Sequence, residues 1–134
     1  MNPICEAESD SMIEWQPIAE AALRARVAQG EARMSPSQLR LWEAVRIEPE
    51  KWQQHPYGDP GAGFWVVALV GRTVVWYNDI EEGFNRSRYS AYGTIDDYWC
   101  NQDELELTLQ YLMNALEQGA DLVRLNKRPS KVPR

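Results

Sequence analysis

Asn78-Asp79-Ile80-Glu81-Glu82-Gly83-Phe84-Asn85 is the densest run of oxygen-bearing side chains in this 134-residue sequence. Carboxylates and amides gathered around a tight turn are what hard cations such as Ca²⁺ and Mg²⁺ bind. The register is poor for that use. Read as an EF-hand loop from Asn78, the run has Gly83 at the required sixth position but Ile80 at the third, and Arg86 and Arg88 add cation-repelling charge. The carboxylates Asp79, Glu81 and Glu82, or the adjacent pair Asp96 and Asp97, are also the residue types of glycoside and metal-assisted hydrolysis. A small metal- or carboxylate-dependent hydrolase centred on the turn from Asp79 to Asn85 is therefore one reading. For the run itself a solvent-exposed acidic turn paired to Arg86 and Arg88 is the simplest account and a protein-recognition loop a further one; for the chain, a non-enzymatic protein-binding role leads because it needs no missing residue.

The remaining chemistry is limited by counting. His55 is the only histidine, which excludes a zincin H-E-x-x-H, a multi-histidine metal site and an H-x-E deaminase motif. It lies between Gln54 and Pro56 in a turn-rich stretch, where a solvated loop residue is the simpler account than a triad base. No G-x-S-x-G elbow, phosphate loop or dinucleotide fingerprint occurs; Gly58, Gly61 and Gly63 have the wrong spacing. Cys5 and Cys100 stand 95 positions apart, so neither a disulfide framework nor a cysteine zinc site is expected, and two free thiols are. No metal and no cofactor is expected.

Aromatic residues are the other excess, with six Trp and six Tyr. Trp42, Trp65 and Trp76 sit in patterns that bury rings. Trp52, Tyr57, Tyr89, Tyr92, Tyr98 and Trp99 fall in loops or at strand ends, where partly exposed rings are the residue types of binding hot spots. Charge points the same way. The chain is −6 overall, but residues 120–134 hold five basic side chains and one acidic, +4, which leaves 9 basic and 19 acidic residues, −10, on the rest. Such a body repels phosphate backbones and anionic lipid and attracts basic partners. A protein partner with a basic face is expected, a nucleic-acid accessory role that uses the basic tail is a further alternative, and membrane is not expected. The longest apolar run, residues 64–70, is far short of the about 20 residues a membrane span needs. The acidic N-terminus lacks a signal-peptide charge pattern, so the expected location is cytoplasmic.

The elements that must position these residues follow from periodicity. Residues 1–12 read as a loose acidic leader and 120–134 as a basic tail on a single domain. A first helix runs from Pro17 to Gly30, with Ile18, Ala21, Ala22, Ala25 and Ala28 on one face and Leu23 and Val27 as a second pair. A second begins at Ser35-Pro36-Ser37-Gln38, a capping box with Pro at the first position, buries Leu39, Trp42 and Val45, and ends by Ile47 or Glu48 before Pro49. Lys51 to Ala62 reads as loop. Residues 64–70, the turn Gly71-Arg72 and residues 73–77 form a hairpin with a type II′ turn, pairing Val70 with Thr73, Val67 with Trp76 and Trp65 with Asn78. Because both faces of its first strand are apolar, that strand should be central and covered on both sides. A four-residue turn and a third strand within residues 84–91 follow. A last helix capped by Asn101 with Glu104 at N3 should then pack Leu105, Leu109, Leu112 and Leu116 on the sheet and stop at Gly119. The class is α+β, an antiparallel meander of about three strands with N-terminal helices and a C-terminal amphipathic helix.

A small acidic α+β domain with aromatic strands and no catalytic set resembles, in that character alone, the immunity proteins that neutralise bacterial toxins. The resemblance implies a non-enzymatic, inhibitor-like binding role and assigns no residue. From the residues themselves, the expected protein-binding set is Asp79, Glu81, Glu82, Asn85, Tyr89 and Trp99.

Overall fold

The expected hairpin is present, at the centre of a larger sheet than the sequence announces. In a computed structural model that describes residues 16–119, helices α1 (Glu20–Arg33) and α2 (Pro36–Val45) lead into strands β1 (Arg46–Trp52), β2 (Phe64–Val70), β3 (Thr73–Asn78) and β4 (Gly83–Arg88). Helix α3 (Leu105–Gln118) follows. The strands are antiparallel and lie in the order β1-β2-β3-β4, so the fold is α+β with helices packed on a meander. The leader and tail fall outside the described residues. No helix among the described residues is long and apolar enough to cross a membrane.

The strand missed by pattern is β1. Its sequence, Arg46-Ile47-Glu48-Pro49-Glu50-Lys51-Trp52, carries a proline and glutamates that lower strand propensity, which is why helix and loop were expected there. Edge position resolves this. An edge strand pairs on one side only, and β1 joins β2 through Glu50 with Val66, Lys51 with Trp65 and Trp52 with Phe64, beyond an irregularity that absorbs Pro49.

Val70 pairs with Thr73 as expected, and Gly71 takes the positive φ of 60° that the turn requires. The register then slips by one. A bulge between Val66 and Ala68 pairs Trp76 with Val66 rather than Val67, and Tyr77 rather than Asn78 with Trp65. The extra residue leaves Val67 and Ala68 both in the core beneath the helices, while Val66 and Trp76 turn to the opposite face.

Two cores result. Under the helices, Leu23, Val27 and Trp42 meet Val67, Val75, Tyr77 and Phe84, with Leu105, Leu109 and Leu112 of α3 fully buried among them. Leu116 continues that stripe but is half exposed at the end of α3, just before the left-handed Gly119 cap. On the other face Trp52, Phe64, Val66, Val74, Trp76 and Ile95 are covered by the loop segments 53–63, with a short 3-10 turn at Asp59–Gly61, and 89–104 rather than by an α-helix.

The capping box of α2 is complete, with Ser35 Oγ accepting from the Gln38 amide at 3.1 Å and Gln38 Oε1 from the Ser35 amide at 2.9 Å. The other two helices correct the pattern. In α1 the buried residues are Leu23, Val27 and Gly30, while Ala21, Ala22, Ala25 and Ala28 face outward, because leucine and valine bury far more apolar area than alanine. Glu104, not Asn101, is the N-cap of α3, and it makes no side-chain capping bond. Cys100 is disulfide-bonded rather than a free thiol, since distance along the chain does not limit proximity in space; Cys5 lies outside the described residues.

Gly30 does not end α1. It is where α1 touches α3: a Cβ built there would lie 2.7 Å from Leu105 Cβ, an atom no rotamer can move aside. Gly30→Ala should therefore lower stability by about 1–2 kcal/mol in urea titrations, overpacking outweighing the gain in helix propensity of about 1 kcal/mol.

Candidate functional site

The run from Asn78 to Asn85 folds inward. Asn78 is 0 % exposed. Its Oδ1 accepts the Ile80 and Glu81 amides at 3.0 and 3.2 Å and closes the β3–β4 turn. Its Nδ2 donates to Tyr98 Oη and to the Trp99 carbonyl, each at 3.0 Å, and draws the 89–104 segment onto the sheet. Asn85 repeats the arrangement one strand over. Its Oδ1 accepts the Asn101 amide at 2.9 Å and its Nδ2 donates to the Asn101 carbonyl at 3.1 Å, which is why Asn101 is not a helix cap. Ser87 Oγ accepts from Trp76 Nε1 at 2.8 Å and donates to the Asp97 carbonyl at 2.7 Å.

The carboxylates of the expected set divide. Asp79 is buried, and its Oδ2 accepts the Ile18 amide at 2.8 Å, holding the approach to α1 against the turn. Trp65 Nε1 donates to the Ile18 carbonyl at 3.4 Å, so both backbone groups of that residue are engaged. Asp79 Oδ1 is buried with no hydrogen-bond partner. Burial pushes the Asp79 carboxyl above the ordinary range, opposed in part by the Ile18 amide and by Lys51. Glu81 is buried beside Gln102, whose amide lies 3.5 Å from its Oε1. Glu82 alone of the three is exposed. Among the described residues no group of three or more His, Cys, Asp or Glu is placed to hold a metal ion. Asp79 and Glu81 are thus buried, one engaged by a backbone amide and the other by an amide side chain, rather than facing solvent.

The rings build a surface elsewhere. Trp52 is the centre of an array, with Tyr89 edge-on at 5.1 Å and Tyr92 tilted at 4.7 Å. Tyr89 is half-buried, its hydroxyl donating to the Gly71 carbonyl at 2.9 Å. Trp99 is also half-buried, with Nε1 donating to Asp97 Oδ2 at 3.2 Å. Tyr57 and Tyr98 stack at 4.0 Å against the same core, Tyr98 lying beside Phe64 and Trp76. Tyr92 is different: it is 64 % exposed, and its hydroxyl donates to Glu50 Oε1 at 2.6 Å, the oxygen that also accepts Trp52 Nε1 at 3.1 Å. Those two donors, Tyr92 first, lower the Glu50 carboxyl, and the same bond raises the Tyr92 phenol. Sequence reasoning placed Tyr92 among the loop rings but missed Glu50, because the two are 42 positions apart and β1 was unrecognised.

His55 is the exposed loop residue expected, its Nδ1 lying 2.6 Å from Asp59 Oδ2. Three cations of the helical side are ion-paired: Arg24 with Glu20 and Glu48, Arg33 with Glu104 and Glu106, and Arg46 with Glu31. Glu43, Glu50, Glu82 and Glu117 make no ion pair among the described residues.

Two outcomes check this account. Asn78→Asp keeps the shape and the acceptor but strands the Trp99 carbonyl opposite an oxygen. It should cost about 2–3 kcal/mol in denaturant titration, the penalty of an unsatisfied buried group. Asp79→Asn should keep the fold and make the protein more stable near neutral pH. A carboxyl raised by burial contributes stability that is present below its unfolded value, about 3.9, and is lost as pH rises through the higher folded value. The advantage of the asparagine variant should therefore shrink on acidification, read from unfolding midpoints across the acid range.

No protein-family model, curated protein or solved structure matches this chain.

Proposed function

We propose that this chain is a non-enzymatic protein-binding domain that docks a basic surface of another protein, in the manner of a small inhibitor or immunity-type protein. The observation that carries the reading is the Tyr92 ring: large, exposed, and held in place by Trp52 beneath it and Glu50 at its hydroxyl. A ring already ordered in the free protein loses little conformational freedom on binding, and Tyr is among the residues that dominate interface energies. Tyr89 packs edge-on against the same Trp52, while the half-buried Trp99 and the exposed Glu82 lie toward the β3–β4 turn. Asp79, Glu81 and Asn85 are buried and shape the β3–β4 turn from within. Surplus acidic charge on the body accelerates approach of a positive surface, and a pinned ring supplies the desolvated centre that long-range charge cannot.

Paired affinity capture at low salt tests this, with the wild-type protein and Tyr92→Ala as baits. A partner held by the wild type should bind the variant at least about tenfold more weakly, mainly through faster dissociation. Glu82→Gln should mainly slow association and flatten its salt dependence. A partner held equally by all three baits would move the interface away from this face.

A further inference from the structure

Glu50 and Tyr92 form a more specific arrangement than an exposed ring near an acid. The ring leans on Trp52 at a 52° tilt with 4.7 Å between centroids, which fixes its orientation while most of its surface stays exposed. The Glu50 carboxylate is anchored through Oε1 alone, by Tyr92 and Trp52, and no donor among the described residues takes Oε2. No cation among the described residues pairs with Glu50. Its neighbour Lys51 points away, donating to the Gly61 carbonyl at 2.6 Å and lying over Trp65, as alternation along a strand requires. A phenol that donates to a carboxylate carries more electron density on its ring, and a ring face attracts cations through that density. An open oxygen of an uncompensated carboxylate and an electron-rich ring therefore meet at one point of the surface.

We propose that Glu50 and Tyr92 together receive one cationic side chain, an arginine guanidinium or a lysine ammonium, from the basic partner protein. This rests on the protein-binding reading above and names the chemistry of its central contact. The cation lies over the exposed ring of Tyr92 and donates to Glu50 Oε2. Trp52 takes no part in the contact itself; it is a positioning residue that fixes both groups.

The test is an amide and indole chemical-shift titration of the full chain with short arginine-rich and lysine-rich peptides, beside the acetyl-lysine form of the latter. At least one cationic peptide should shift the Tyr92 amide and the Trp52 indole N–H saturably, while the acetylated peptide leaves them unmoved. Glu50→Gln keeps an acceptor for Tyr92 and Trp52, hence the ring position, and should weaken binding about fivefold or more. Tyr92→Leu should do the same, with unchanged far-ultraviolet dichroism as the check that the fold survives. Equal response to the acetylated peptide, or shifts confined to Glu43, Glu82 or Glu117, overturns the assignment. The second of these leaves the basic-partner reading standing, so the two failures are distinguishable. A chain lacking residues 120–134 completes the set: if only that chain responds, the occupant is this protein's own basic tail and the proposal of a partner side chain is overturned.

Discussion

The side-chain amide of Asn78 is the joint on which both halves of this structure turn. A primary amide offers two hydrogens and an acceptor oxygen, and in a fully buried position each is costly to leave unmet. Asn78 meets that demand by binding in two directions, its oxygen to the amides of its own turn and its hydrogens to Tyr98 and the Trp99 carbonyl. The first pair fixes where β4 begins. The second fixes where an irregular segment without a ladder of its own lies against the sheet. Asn85 and Ser87 repeat the device along β4, so that three short polar side chains hold residues 97–101 in place.

From that constraint the asymmetry of the fold follows. The helical face of the sheet is closed by leucine and tryptophan packing, and Arg24, Arg33 and Arg46 on that side pair with glutamates. Exposed pairs of this kind contribute little stability. The opposite face is closed by rings carried on loops, and loops positioned on a rigid sheet are where binding groups are commonly displayed. Tyr92 stands at the outer limit of that ring layer. Its hydroxyl reaches Glu50 on β1 and its ring rests on Trp52, so exposure there does not mean freedom.

The acidic turn shows how the same residues can serve opposite ends. Oxygen-rich side chains around a tight turn satisfy amides as readily as they attract cations or partners. Burial of Asp79 and Glu81 turns the run into a structural knot, and charge is presented to solvent at Glu82 instead. Holding Asp79 at the Ile18 amide carries an electrostatic cost, visible as a carboxyl pushed upward by burial.

What the sequence alone determined is what short-range physics decides. The Ser35 capping box, the Gly71 turn, the Leu105–Leu109–Leu112 stripe and the Gly119 stop all lie within a few residues of the groups they serve, and all appear in place. Tertiary structure decided the rest, because each remaining feature depends on a neighbour distant in the chain. β1 is a strand only because β2 offers it a free edge, against its own proline and glutamates. The one-residue slip at Val67 answers to the packing of two cores at once, which no local pattern encodes. Burial of the acidic turn depends on Ile18 and Trp99 arriving from either side. The meeting of Glu50 with Tyr92 exists only once β1 and the 89–104 segment share one end of the sheet, since a hydrogen bond between residues 42 positions apart leaves no trace in the spacing of either.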